Sequence, residues 1–132
     1  MLFVIDDEIY MKSHYCLYEP LNDIRFYFDY TDYYLHEAAD IDSADGMVPF
    51  VRIREVDVMK AYVESLNDRK LSSVFNKLPD KEAWSRFWAF FDDDGIESEH
   101  WGKYDRNYRI DHIVNWCKEN GIAYKLLDSL LY

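Results

Sequence analysis

Carboxylates are the residues of this chain best supplied for chemistry, and they come in runs. The densest is Asp92-Asp93-Asp94-Gly95-Ile96-Glu97-Ser98-Glu99, and Asp40-Ile41-Asp42-Ser43-Ala44-Asp45-Gly46 is the second. Both look like calcium loops until the spacing is checked. An EF-hand loop needs a ligand at its first position, glycine at its sixth and a bidentate glutamate at its twelfth. Gly95 in the glycine place puts Phe90 first and Trp101 twelfth, and Gly46 puts Ile41 first. The runs therefore read as solvated helix ends and loops. A metal-assisted hydrolase would have to draw on Asp92, Asp94 and Glu97 with Lys103 beside them, which is the alternative, enzymatic reading.

The other reactive groups are sparse. The histidines are His14, His36, His100 and His112, and no HxxxH or HExxH spacing exists among them. The sequence thus assigns no metal centre. Cys117 with His100 or His112 has the residue types of a nucleophile pair, but Cys117 falls on an apolar helical stripe, where a thiol is buried and inert. No GxGxxG, no GxxxxGK[ST] and no serine elbow is present, and four glycines leave little material for a phosphate cradle. No catalytic residue and no cofactor is expected.

What remains is charge placed among aromatic residues. The chain has 132 residues, 26 acidic against 15 basic, for a net charge of -11. Residues 1–50 hold 11 of the carboxylates against only Lys12 and Arg25, a net of -9, while residues 51–132 net -2. The same 50 residues contain seven of the 12 tyrosines. Such a surface repels nucleic acid and anionic membranes and attracts a basic protein. Tyrosines add rigid, amphipathic contact area. The candidate partner-binding residues are Asp23, Tyr27, Asp29, Tyr30, Asp32, Tyr33, Glu37, Asp40, Asp42 and Asp45. The bland reading of this stretch is a hairpin with one packed face and one solvated acidic face.

The elements that must carry these residues follow from periodicity and caps. Leu2 to Ile5 suits either a strand or a first helical turn, and a helix is expected over about 6–17, ending before Pro20. Ile24, Phe26 and Phe28 alternate with polar neighbours, which predicts a β-hairpin over 24–38 with its turn at Tyr30-Thr31-Asp32. Asp40 to Gly46 reads as a loop and Val48 to Ile53 as an extended segment. Helical spacing then takes over: Val56, Met59, Val63 and Leu66; then Leu71, Val74, Phe75 and Leu78 behind an Asp68 cap. A third helix starts at an Asp80 cap, buries Ala83, Trp84, Phe87, Trp88 and Phe91, and ends at Gly95. A short turn around Trp101 leaves that residue and Tyr104 partly exposed, and Asp105 opens a last helix through Ile110, Ile113, Val114 and Cys117 to an Asn120-Gly121 cap. Residues 122–132 form a short strand or a docked apolar tail. The fold class is α+β, an acidic, aromatic N-terminal hairpin region followed by a mostly helical C-terminal part, in a single domain over 1–132.

Residues 48–122 also resemble an uncharacterised family of small acidic bacterial proteins. The resemblance rests on the hairpin-like segment Tyr27 to Thr31, the Pro49-containing stretch with the helix to Leu66, and the pair Arg86-Phe87. It continues through Trp101, Tyr104, Asp105 and Arg106 to Trp116-Cys117-Lys118-Glu119-Asn120-Gly121-Ile122. It implies a fold and a bacterial or phage origin, and assigns no function. With two widely separated cysteines, Cys16 and Cys117, and Asp6-Asp7-Glu8 directly behind the apolar start, the chain reads as cytoplasmic, with reduced thiols and no signal peptide. The functional expectation is a non-enzymatic acidic binding module for a basic protein. Its closest analogues by character are immunity proteins and DNA-mimicking inhibitors. A structural or regulatory subunit is the further alternative, and oligomeric state stays open.

Overall fold

The computed structural model describes residues 1–15, 24–91 and 96–130. The protein is α+β: strands gather toward the N-terminus and helices dominate the C-terminal part. The chain forms two compact units, one of Met1–Ile53 with Arg109–Tyr132 and one of Arg54–Tyr108.

In the first unit, β1 (Phe3–Ile5) runs into α1 (Asp7–Lys12). Asp6 caps that helix by accepting the Ile9 N–H at 2.9 Å, and Asp7 and Glu8 sit where the helix dipole favours negative charge. The helix is half the expected length. It ends at Ser13, whose hydroxyl donates to Tyr10 O, and the chain turns extended as β2 (His14–Tyr15). Ile53 N–H donates to Ser13 O, so the chain is pulled into a strand pair where helical periodicity alone pointed onward.

The hairpin forms as its alternation predicts. β3 (Phe26–Asp29) pairs antiparallel with β4 (Tyr34–Glu37), Phe28 opposite Leu35. Phe26, Phe28 and Leu35 are buried, and Tyr27, Asp29 and His36 lie on the other face. A single turn of 3-10 helix (Ala38–Asp40) and the acidic loop follow, and β5 (Met47–Pro49) returns to pair with the free side of β3. The sheet order is β4-β3-β5.

β6 (Ile53–Arg54) leads into the second unit, where α2 (Glu55–Ser65), α3 (Arg69–Lys77) and α4 (Asp80–Phe91) follow one another. Val56, Met59, Tyr62, Val63, Phe75, Ala83 and Phe87 make its core. Asp68 caps α3 through the N–H groups of Lys70 and Leu71, as expected, but Val74 stays exposed. Asp80 is not the cap of α4. It is the first helical residue, and its carboxylate binds Arg54 at 2.7 Å and Lys60 at 3.0 Å. Those two cations hold it below the ordinary carboxylate range, Lys60 first and Arg54 second.

The last helix, α5 (Ile96–Glu119), corrects the sequence reading most. It is one continuous helix of 24 residues, without the break expected near Trp101 to Asp105. Its residues to Tyr108 belong to the second unit, where Trp101 and Tyr104 pack edge-on against Tyr62 at 5.3 and 5.2 Å. Burying those rings outweighs the weak local stop signals. From Arg109 onward the helix belongs to the first unit, and Ile110, Ile113, Trp116 and Cys117 join Phe3, Phe28 and Phe50 in its core. Gly121 adopts φ +65°, the left-handed geometry that ends the helix. β7 (Tyr124–Leu126) then lies parallel to β1, Val4 opposite Lys125, and Leu130 is buried behind it. The C-terminal residues thus supply both a strand and a docked apolar tail. Gly95, expected to end α4, and Cys16 lie outside the described residues.

Candidate functional site

The hairpin turn is built by its own aspartates. Asp29 O accepts the Tyr33 N–H at 2.8 Å and closes a four-residue loop. Inside it, Asp29 Oδ1 accepts the Thr31 N–H at 2.8 Å and Asp32 Oδ1 accepts the Tyr34 N–H at 3.1 Å. Short side chains that bond backbone two residues ahead stabilise such turns without glycine. Tyr33 takes the left-handed position that glycine usually fills, at φ +60°. That conformation costs about 1–2 kcal/mol for a side-chain-bearing residue. Two contacts offset it: the ring meets Phe28 at 5.0 Å, and the hydroxyl accepts the Ala123 N–H at 2.8 Å.

Several of the sequence-derived site residues therefore have internal roles. Tyr30 packs on Phe28 at 5.1 Å and donates its hydroxyl to Asn120 O at 2.7 Å. Tyr30 and Tyr33 tie the hairpin tip to the segment that follows α5. Tyr27, half-buried, lies on the outer face opposite His36 and Pro49. Asp32 and Glu37 are exposed on and beside β4, and Asp40, Asp42 and Asp45 are exposed along the loop that follows. Asp23 lies outside the described residues. The structure thus brings Asp29 and Asp32 together at the turn, with Glu37, Asp40, Asp42 and Asp45 strung beyond them. A depression of about 320 Å³ is lined by Ile24, Arg25, Glu37, Ala38 and Ala39.

Two residues of this face escape sequence reading. Tyr34 is 53% exposed, the most open of the hairpin tyrosines described as exposed, and Lys12 lies 5.9 Å from its ring centre. His36 turns its Nε2 to Asp32 Oδ2 at 2.7 Å. One donor atom from each of Asp29, Asp32 and His36 falls within 4.8 Å of the others. The Asp32-x-x-x-His36 spacing is the available signal. It reads as a helical i,i+4 pair, and only the tight turn makes it a contact in a strand setting.

The competing sites fare differently. Asp92 and Asp94 of the hydrolase reading lie outside the described residues, as does the side chain of Glu97, while Lys103 is exposed. Cys117 is fully buried, His112 on the same helix is exposed, and desolvation pushes the thiol up to about 12. A neutral, water-excluded thiol makes no thiolate nucleophile. In native protein at pH 8, Cys117 is expected to resist a disulfide reagent that modifies it within minutes in urea; equal rates in the two conditions would place it at the surface. His100 shares a 3.0 Å hydrogen bond with the Tyr62 hydroxyl.

A depression of about 680 Å³ lies along the end of α2 and α3. There Glu64 accepts from Asn76 at 2.9 Å and Ser72 at 2.7 Å, and those two bonds lower its carboxyl below the ordinary range. This arrangement ties α3 to α2. No helix among the described residues is long and apolar enough to cross a membrane. No family model, no curated protein and no solved structure matches the chain.

Proposed function

We propose that this protein is a non-enzymatic binding module of the inhibitor or immunity type, which meets a basic partner protein through the outer face of its hairpin and the acidic loop beyond it. One observation carries the reading: Asp32, Glu37, Asp40, Asp42 and Asp45 are all exposed along one continuous stretch of chain. Among the described residues, none of these five carboxylates has a lysine or arginine within ion-pair distance, and Asp32 alone of them meets an imidazole, that of His36 at 2.7 Å. A strip of like charge left without cations raises the energy of the free protein and is relieved by a cationic surface. The exposed ring of Tyr34 supplies apolar contact at its edge.

The test keeps the turn and removes charge. Asn is isosteric with Asp and still accepts through Oδ1, so the triple variant Asp29→Asn, Asp32→Asn, Asp42→Asn preserves the hairpin. Two exposed charges and one half-buried charge, at about 0.5 kcal/mol each, predict roughly a tenfold loss of affinity for the basic partner. Binding by wild type is expected to weaken as salt rises from 50 to 500 mM. If wild type and triple variant retain the same partners at the same salt, the acidic face is not the binding surface.

A further inference from the structure

The outer face of the hairpin holds a second kind of chemistry. Asp29, Asp32 and His36 present two carboxylates and an imidazole with donor atoms within 4.8 Å of one another. This is a mixed oxygen and nitrogen donor set, unlike the all-carboxylate runs elsewhere in the chain. The register explains how it forms. Tyr27 pairs with His36 and Asp29 with Tyr34, so Asp29 and His36 are diagonal neighbours on one face of the ladder. Asp32 reaches them from the loop.

We propose that Asp29, Asp32 and His36 form a binding site for a divalent transition-metal ion of the Zn²⁺ class. Three protein donors with the remaining positions left to water or to a partner's side chain is the pattern of an open zinc site. The donor types choose among metals. Imidazole suits Zn²⁺, Ni²⁺ and Co²⁺, whereas Ca²⁺ requires six to eight oxygens, which these residues cannot supply.

The geometry needs little adjustment. Donors at about 2.1 Å from a zinc ion stand roughly 3–4 Å apart. His36 Nε2 and Asp32 Oδ2, now hydrogen-bonded at 2.7 Å, open by up to about 1 Å as the ion replaces the proton between them. The Asp29 carboxylate, within 4.8 Å of both, completes the set. Each aspartate is already oriented through Oδ1 by a backbone N–H, of Thr31 for Asp29 and of Tyr34 for Asp32. Outer hydrogen bonds of this kind fix ligand carboxylates before the metal arrives. All three side chains are half-buried or exposed, so the ion has a direct path in.

The inference stands apart from the protein-binding reading, and one variant separates them. His36→Ala removes the imidazole and none of the acidic charge. The full chain is titrated with ZnCl₂ by calorimetry and with CoCl₂ by visible absorption, with CaCl₂ as the comparison. Wild type is expected to bind one Zn²⁺ and to give a Co²⁺ d–d band, with at least tenfold weaker binding of Ca²⁺. His36→Ala and Asp29→Asn are each expected to weaken Zn²⁺ binding at least about tenfold. His112→Ala, far along α5 on an exposed surface, is expected to leave it unchanged. Circular dichroism confirms that each variant is folded, and His36→Gln replaces His36→Ala if the latter is not. Wild type without Zn²⁺ binding, or His36→Ala and His36→Gln binding as wild type does, overturns the proposal. Loss of metal binding in His36→Ala with retained capture of a basic partner supports both readings at once.

Discussion

Phe28→Ala is expected to destabilise the first unit by about 3–5 kcal/mol, the range for deleting a fully buried phenylalanine. Phe28 has no exposed surface, and four rings meet it edge-on: Phe3 at 5.3 Å, Tyr30 at 5.1 Å, Tyr33 at 5.0 Å and Trp116 at 5.8 Å. Removing it leaves a cavity that these rings cannot fill without abandoning the hydroxyl bonds to Asn120 and Ala123. The loss therefore includes transfer free energy, the cavity and the edge-on ring contacts. Urea unfolding reads it as a lower midpoint, with Trp116 reporting from the same core. Phe28→Leu should cost less than half as much, because it refills most of the volume. A change below 1 kcal/mol for the alanine variant would mean that the hairpin is not anchored through this ring. Because Asp29 and Asp32 are carried on that hairpin, the alanine variant should also weaken the proposed binding to a basic partner.

Phe87→Ala is the counterpart in the second unit, again at about 3–5 kcal/mol. Its ring is fully buried, with Trp101 at 4.6 Å, Trp88 at 5.5 Å, Tyr62 at 6.1 Å and Phe75 at 6.5 Å. It touches residues of α2, α3, α4 and α5, so no single helix can move to close the gap. Lys81→Ala, at an exposed position on the same helix, should change stability by less than about 0.5 kcal/mol. Chemical denaturation of the two variants decides it. Similar small losses for both would show that the aromatic stripe of α4 is a surface and not a core.

The stripe itself was legible in the sequence, because helical spacing is a local property. Ala83, Trp84, Phe87 and Trp88 declare a buried face within a few residues of each other. The same holds for the hairpin, where Phe26 and Phe28 alternate with Tyr27 and Asp29 and carry their own register. Asp68 at the start of α3 and Gly121 after α5 act on backbone groups within one turn, so they too could be read directly.

Local signals mislead wherever a distant contact outweighs them. Asp80 resembles a helix cap, yet Arg54 and Lys60, more than 15 residues earlier in the chain, claim its carboxylate. The expected break in α5 disappears because Tyr62 gives Trp101 and Tyr104 a place to pack. α1 stops at Lys12 because Ser13 O is taken by Ile53 N–H.

The candidate site shows the same division. By itself the sequence determined that the first 50 residues carry nearly all the excess negative charge, that tyrosines accompany it and that a hairpin carries part of it. Charge and alternation are summed over neighbouring residues, so no fold is needed to see them. Only the tertiary structure decided which tyrosines face outward. Tyr30 and Tyr33 bond to Asn120 and Ala123, some 90 positions along the chain, and Tyr34 is left exposed. It alone also set His36 against Asp29 and Asp32, since a turn converts a spacing that reads as helical into a contact between strand and loop. Pairing across the chain depends on where the backbone closes, and a one-dimensional pattern does not carry that information.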